Sequence, residues 1–182
     1  MDANEKRRVP ETEVTERLRA ETFFMRARGY HRLGRFEEAL ASLDEAVAAD
    51  PTYIRAQAAR AHTLRRLGRL EEAFAAVNRV LEVEPNNAVA LATKGTLLQE
   101  QGRPQEGQAL YEEALAAASP EDLSLLHYNF ACFWANAGDV ARLREHLALA
   151  LKLDPGKKSV AAVDRDFKKY VEEEWFLELT AL

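Results

Sequence analysis

Turn glycines spaced thirty-four residues apart constrain this chain more than any other feature. Gly34, Gly68 and Gly102 keep that interval, as do Pro51 and Pro85 and the triplets Glu37-Glu38-Ala39 and Glu71-Glu72-Ala73. A fixed period of this size implies one supersecondary unit stacked on copies of itself, each burying its apolar face against a neighbour. Gly138 continues the series with an offset of two residues. Each glycine follows an apolar helical run and suits the left-handed residue that closes a helix. Acid-proline or Ser-Pro steps separate the units at Asp50-Pro51, Glu84-Pro85, Ser119-Pro120 and Asp154-Pro155. Asp and Ser cap helix starts, and proline is tolerated at the first helical position. These steps are therefore expected to end one helix and start the next. Each unit reads as two helices of about 14 residues joined by a tight turn.

Ala, Leu, Glu and Arg dominate the sequence and are good helix formers, while β-branched residues never form an alternating run. The expected fold class is all-α. Apolar positions follow helical spacing: Phe23, Ala27 and Tyr30, then Phe36, Ala39, Leu40, Leu43 and Ala46, with equivalents in each later unit. A stacked array needs an end cap, and Val160, Val163, Phe167, Tyr170, Phe176 and Leu179 are expected to supply it from one or two C-terminal helices. Val14 and Leu18 extend the first helix, and residues 1–10 read as a disordered tail ahead of a single domain over 11–182. Gly95 and Gly107 fall inside helices of the third unit. Each costs roughly 0.5–1 kcal/mol relative to Ala, so that hairpin is expected to open most easily.

Little here carries chemistry. Cys132 is the only cysteine, which excludes an intramolecular disulfide and a thiolate-rich metal site and fits a reducing compartment. It is expected to act as a small buried hydrophobe, and Trp134 and Trp175 to pack the end of the array. The charged start of the chain has no apolar core of a secretory signal, and no stretch approaches a transmembrane length. A cytoplasmic location is expected. A net charge of -5 gives no global attraction for nucleic acid. No Ser/His/Asp arrangement, phosphate-cradling glycine loop or enforced carboxylate pair is present, so neither an enzyme nor a cofactor is expected. His31 and His62 fall on neighbouring first helices and are able to approach one another, as a pH-sensitive pair or as two solvated residues. With no third ligand in view, no metal is expected there.

In their order and intervals, the aromatic, small, Tyr, Ala and Pro positions resemble the tetratricopeptide repeat, with units at about 20–53, 54–87, 88–121 and 124–157 and a cap over 158–182. No unit has Trp at its fourth position, where Gln57 and His127 stand in two of them, and Leu143 replaces a usual small residue. Tyr128-Asn129-Phe130-Ala131-Cys132, Ala137-Gly138-Asp139 and Asp164-Arg165-Asp166-Phe167 resemble the terminal module of many bacterial proteins of this family. The resemblance implies a right-handed α-solenoid whose first helices line a concave groove at positions two, five, nine and twelve. Those positions include Arg28, His31, Arg55, His62, Arg65, Thr96, Gln99 and Tyr128, the expected peptide-binding residues. Residues 52–70 contain Arg55, Arg60, Arg65, Arg66 and Arg69 and no acid. Arginine's planar fork matches carboxylates, so an acidic peptide or protein partner is the expectation, with Arg60 and Arg66 placed off the groove. The alternative is a self-associating structural module. A chaperone-tail clamp is not expected: its positions hold Phe24, Arg28, Ala59, Val89 and Thr93, or one unit later Ala58, His62, Thr93, Leu125 and Asn129.

Overall fold

A computed structural model describes residues 11–181, with side chains from Val14 onward. The described chain is entirely helical. Four antiparallel pairs follow in order: α1 (Glu11–Arg32) with α2 (Phe36–Ala49), α3 (Ile54–Arg66) with α4 (Leu70–Val83), α5 (Ala88–Glu100) with α6 (Pro104–Ala117), and α7 (Leu123–Ala137) with α8 (Val140–Leu153). The short α9 (Lys157–Ala161), a 3-10 turn at Arg165–Phe167 and α10 (Glu174–Thr180) complete it. The expected tail over residues 1–10 lies outside the described residues. Contacts group the chain into two compact units, one ending at Val80 and the other beginning at Leu81.

One turn chemistry closes every pair. Gly34, Gly68, Gly102 and Gly138 all have φ between +70° and +80°, a region only glycine enters cheaply. In the second pair the Arg69 amide donates to Leu64 O at 2.9 Å and the Gly68 amide to Arg65 O at 2.9 Å, which satisfies the carbonyls left over at the end of α3. The same bonds recur after α1, α5 and α7. The arginine after each of the first three glycines then clamps a glutamate three residues on: Arg35 to Glu38, Arg69 to Glu72 and Arg103 to Glu106. In the fourth pair Asp139 takes that place and caps α8, accepting from the Arg142 amide at 3.0 Å.

The acid-proline steps work differently from the expectation. α3, α5, α7 and α9 start at Ile54, Ala88, Leu123 and Lys157, each three residues or two past the proline. Asp50 ends α2 through its amide, bonded to Ala46 O, and its carboxylate folds the next turn by accepting from the Thr52 amide at 2.8 Å. Asp154 does the same with Ala150 O and the Gly156 amide. Among the described residues, the proline that does sit at a helix start is Pro104, in α6.

In the first unit Ala20, Ala27, Ala46 and Ala56 let helices approach, and Phe24 meets Tyr53 edge-on at 5.4 Å. Arg17 covers the Tyr53 ring at 4.1 Å and bonds Asp50 at 2.9 Å. In the second unit Tyr111 stacks on Phe130 at 4.5 Å, and Phe133, Leu126, Leu143 and Leu147 complete a dry core. Leu143 is fully buried, so this large residue at a usually small position is accommodated. Gly95 and Gly107 face each other here: a Cβ on Gly107 would lie 2.4 Å from Gly95 O. These glycines set the approach of α5 to α6, which the propensity-based expectation for that hairpin left out.

Candidate functional site

In the first unit the exposed ends of α1 and α3 carry a basic face. His31 and His62 meet there with ring centroids 5.2 Å apart, one from each helix. Phe36, at the start of α2, stands edge-on to His31 at 5.0 Å, and the Arg66 guanidinium lies 4.9 Å over the Phe36 ring. Burial pushes His31 below the ordinary imidazole range, and Arg66 and Arg65 push it further. Burial holds His62 well below that range, with Arg65, His31 and Arg66 adding to the effect. Both rings are therefore neutral near pH 7. His31 Nε2 is buried without a hydrogen-bond partner.

Arginines on this face differ from those elsewhere in the unit. Arg17, Arg26, Arg35, Arg60 and Arg69 each hold a carboxylate: Asp50, Glu45, Glu38, Asp44 and Glu72 respectively. Arg28 contacts only the Met25 sulfur, at 3.7 Å, and Arg55 lies 5.4 Å over the Phe24 ring. Neither has a carboxylate partner among the described residues. Arg32, one helical turn past Arg28 and exposed, is also without one, and was not singled out from the sequence. Arg19 is unpaired too but projects from the opposite side of α1 by helical spacing. Arg60 lies off the face, as expected, whereas Arg66 acts directly on His31.

The tetratricopeptide repeat family matches residues 30–97 and, in a second match, 88–113. The chain carries tetratricopeptide repeats. Among curated proteins none matches the sequence. PilF of Pseudomonas aeruginosa shares 23% identity at a TM-score of 0.62, over 91% of this chain and 69% of that one. PilW, described as a widely conserved type IV pilus biogenesis factor, shares 19% at 0.64, over 90% and 78%. MamA from Desulfovibrio magneticus shares 21% at 0.51, over 79% and 80%. The fold is that of an all-α tetratricopeptide solenoid.

The remaining expected groove residues of this tetratricopeptide chain belong to the second unit and are engaged internally. Thr96 Oγ1 bonds Ala92 O and lies 2.7 Å from the Tyr111 hydroxyl. Gln99 Nε2 donates to Phe133 O at 2.8 Å. Tyr128 is only 7% exposed; its hydroxyl donates to Asp164 Oδ2 at 2.9 Å and its ring meets Phe167 edge-on at 5.6 Å. Burial, reinforced by Cys132 and Asp164, pushes its phenol well up, so it stays a donor. Tyr170 reaches the same helix, donating to Ala135 O at 3.3 Å. Residues 164–170 thus cover positions five and twelve of α7, and Tyr128 is a cap residue rather than a free groove residue. Of the expected cap residues, Phe167, Tyr170 and Phe176 are buried, but Val160 is 51% and Val163 83% exposed, because α9 presents Ala161 inward instead.

A contact absent from the sequence reading joins α7 to α8. His127 Nδ1 and His146 Nδ1 lie 2.9 Å apart, and Phe130 packs on the His146 ring at 4.5 Å. The two histidines stand eleven residues before and eight after Gly138, so antiparallel pairing about the turn glycine was the signal for this contact. Among the described residues no three His, Cys, Asp or Glu side chains gather as a metal site, and no helix is long and apolar enough to cross a membrane.

Proposed function

We propose that this chain is a non-catalytic interaction module that docks an acidic segment of a partner polypeptide on the α1/α3 face, through Arg28, Arg55 and Arg65, with His31 and His62 beside them. The observation that carries this reading is the contrast among the arginines. Arg26, Arg35, Arg60 and Arg69 are each neutralised by a fixed carboxylate, while Arg28 and Arg55 keep unspent donors. Guanidinium forks left without a carboxylate match Asp or Glu side chains in geometry and charge. The folded helices hold these donors in place before binding, so little order is lost on the protein side. Thr96, Gln99 and Tyr128, bonded internally, take no part. A net charge of -5 disfavours nucleic acid, and a lone cysteine suits a reducing, cytoplasmic setting.

A fluorescent Glu-rich peptide and its Gln-substituted counterpart test the reading by anisotropy. The Glu peptide is expected to bind with an affinity that falls as salt rises, and Arg28→Glu with Arg55→Glu to weaken it at least about tenfold, since hydrogen bonds to charged groups contribute about 1.5–3 kcal/mol. Equal binding of both peptides, or an unaffected double variant, overturns the reading.

Self-association is the second reading. Val14, Leu18 and Met25 are exposed along one stripe of α1, at spacings that align them on a helix. A mass that rises with concentration in sedimentation, and reverts with Leu18→Glu, supports it; a concentration-independent monomer removes it.

A further inference from the structure

We infer that the acidic partner of the α1/α3 face is a second copy of this chain, docked through the carboxylate-bearing outer side of α10. The inference rests on the proposed function above and names the partner of that face. Charge divides unevenly along the sequence. Residues 1–80 carry fifteen Lys and Arg against thirteen Asp and Glu, and residues 81–182 carry ten against seventeen, so their formal charges are +2 and -7. Two copies that meet first unit to second unit therefore attract, whereas two second units repel. The acidic excess has a sharp local source. Glu172, Glu173, Glu174 and Glu178 are exposed, and residues 170–182 hold no Lys or Arg. None of these four carboxylates has an ion pair among the described residues. By contrast, Glu38, Asp44, Glu45 and Glu72 of the first unit are each held by an arginine.

α10 is fixed to its own chain through Phe176, which is buried with its ring 5.8 Å from that of Phe167. Glu174, Leu177 and Glu178 share the side left to solvent, where Leu177 is 55% exposed. The two carboxylates stand four residues apart, a like-charge spacing that costs helix stability and that an arginine relieves. The α1/α3 face offers the converse pattern. Met25 is 58% exposed and stands one turn before Arg28 on α1, and Arg55 comes from α3 over the Phe24 ring. Glu21, the carboxylate on the same stripe of α1, is held by Arg17 at 3.6 Å. Leu177 against Met25 takes two exposed apolar side chains out of water, while Glu174 and Glu178 meet Arg28 and Arg55. Both patches lie on folded helices before they meet, so mainly side chains lose freedom on docking. Because the two patches differ, the contact is heterologous: a copy whose basic face is filled still offers its own α10.

Sedimentation of the whole chain tests this. Its mean mass is expected to rise with concentration at low salt and to fall back toward the monomer as ionic strength increases. Two neutralised variants separate the patches: Arg28→Gln with Arg55→Gln, and Glu174→Gln with Glu178→Gln. All four side chains are exposed and without an ion pair among the described residues, so both variants are expected to fold. Each variant alone should self-associate about tenfold more weakly than the parent. Mixed in equal amounts, the two should recover the parent's affinity and stop at a 1:1 complex, since one supplies an intact α10 and the other an intact basic face. A parent chain that stays monomeric at low salt up to about 1 mM overturns the inference. If that monomer still binds the Glu-rich peptide, the docking face stands; if it binds none, the docking face falls as well. Self-association that survives either pair of substitutions, or a mixture no heavier than its components, also overturns the inference.

Discussion

His127 and His146 share a proton across the last helical pair: their Nδ1 atoms lie 2.9 Å apart, so one ring must donate and the other accept. Burial pulls both below the ordinary imidazole range. His127 and Arg142 lower His146 further, while Glu145 opposes the shift at both rings. A depressed imidazole means that the unfolded chain binds protons first. The stabilisation is therefore complete above the unfolded value of about 6.5 and is lost as pH falls through it towards the folded values. With both rings charged, N–H faces N–H and the bond fails. Amide exchange in α7 and α8, corrected for its intrinsic pH dependence, is expected to quicken between about pH 7 and about pH 5 more than in α5 and α6, and His146→Gln to flatten that response. Uniform protection across the four helices at both pH values would refute it.

Gly107 and Gly29 separate two roles of a helical glycine. A Cβ on Gly29, in α1, meets nothing within 4 Å. Gly29→Ala should stabilise the chain by roughly 0.5–1 kcal/mol from helix propensity alone. A Cβ on Gly107 meets Gly95 O at 2.4 Å and Phe133 Cε2 at 3.0 Å. The first of these is backbone, so α5 and α6 must part, and Gly107→Ala should cost about 1–3 kcal/mol despite the better propensity. Urea midpoints of the two variants should move in opposite directions.

Phe167 anchors the C-terminal segment over α7. It is fully buried, with Tyr128 at 5.6 Å and Phe176 at 5.8 Å. Phe167→Ala is expected to cost about 3–5 kcal/mol locally. Tyr128→Phe should cost less, about 1–3 kcal/mol, because Asp164 still accepts from the Asp166 amide at 3.0 Å. Limited proteolysis should cut both variants after α8 earlier than the parent, with Phe167→Ala the faster. Equal cleavage of all three would show that the segment is held by something other than this ring and hydroxyl.

The hairpins were legible because a short-range signal fixes each of them. The spacing of Gly34, Gly68, Gly102 and Gly138 specifies where the chain reverses, and positive φ at all four is why glycine is required. The Arg35–Glu38, Arg69–Glu72 and Arg103–Glu106 clamps repeat at the same interval and were equally readable, though of these residues only Glu38, Glu72 and Arg69 drew notice, and not as pairs. The proximity of His31 and His62 followed from their places on successive first helices. What covers Tyr128 was not legible. Asp164 and Phe167 lie outside the periodic pattern, and a hydroxyl–carboxylate bond across thirty-six residues has no local signature. The glycines of α5 and α6 were visible, but their face-to-face placement depends on how two helices cross.

Arginines of the first unit should divide cleanly between stability and binding. Arg60 bonds Asp44 at 2.5 Å and both groups are partly exposed, so Arg60→Glu removes a surface ion pair and adds a like-charge contact. A loss of about 0.5–1 kcal/mol in unfolding free energy is expected, with affinity for a Glu-rich peptide unchanged. Arg55 breaks no ion pair when replaced, only its place over Phe24 at 5.4 Å. Arg55→Gln should therefore leave the urea midpoint within about 0.5 kcal/mol of the parent while weakening the peptide several-fold. The salt dependence sharpens the contrast. Each fixed charge that meets the ligand contributes to the fall of affinity with ionic strength, so Arg55→Gln should lower that slope and Arg60→Glu should not. If Arg60→Glu were the variant that lost the peptide, the acidic segment would have to dock against α2 and α3 rather than α1 and α3.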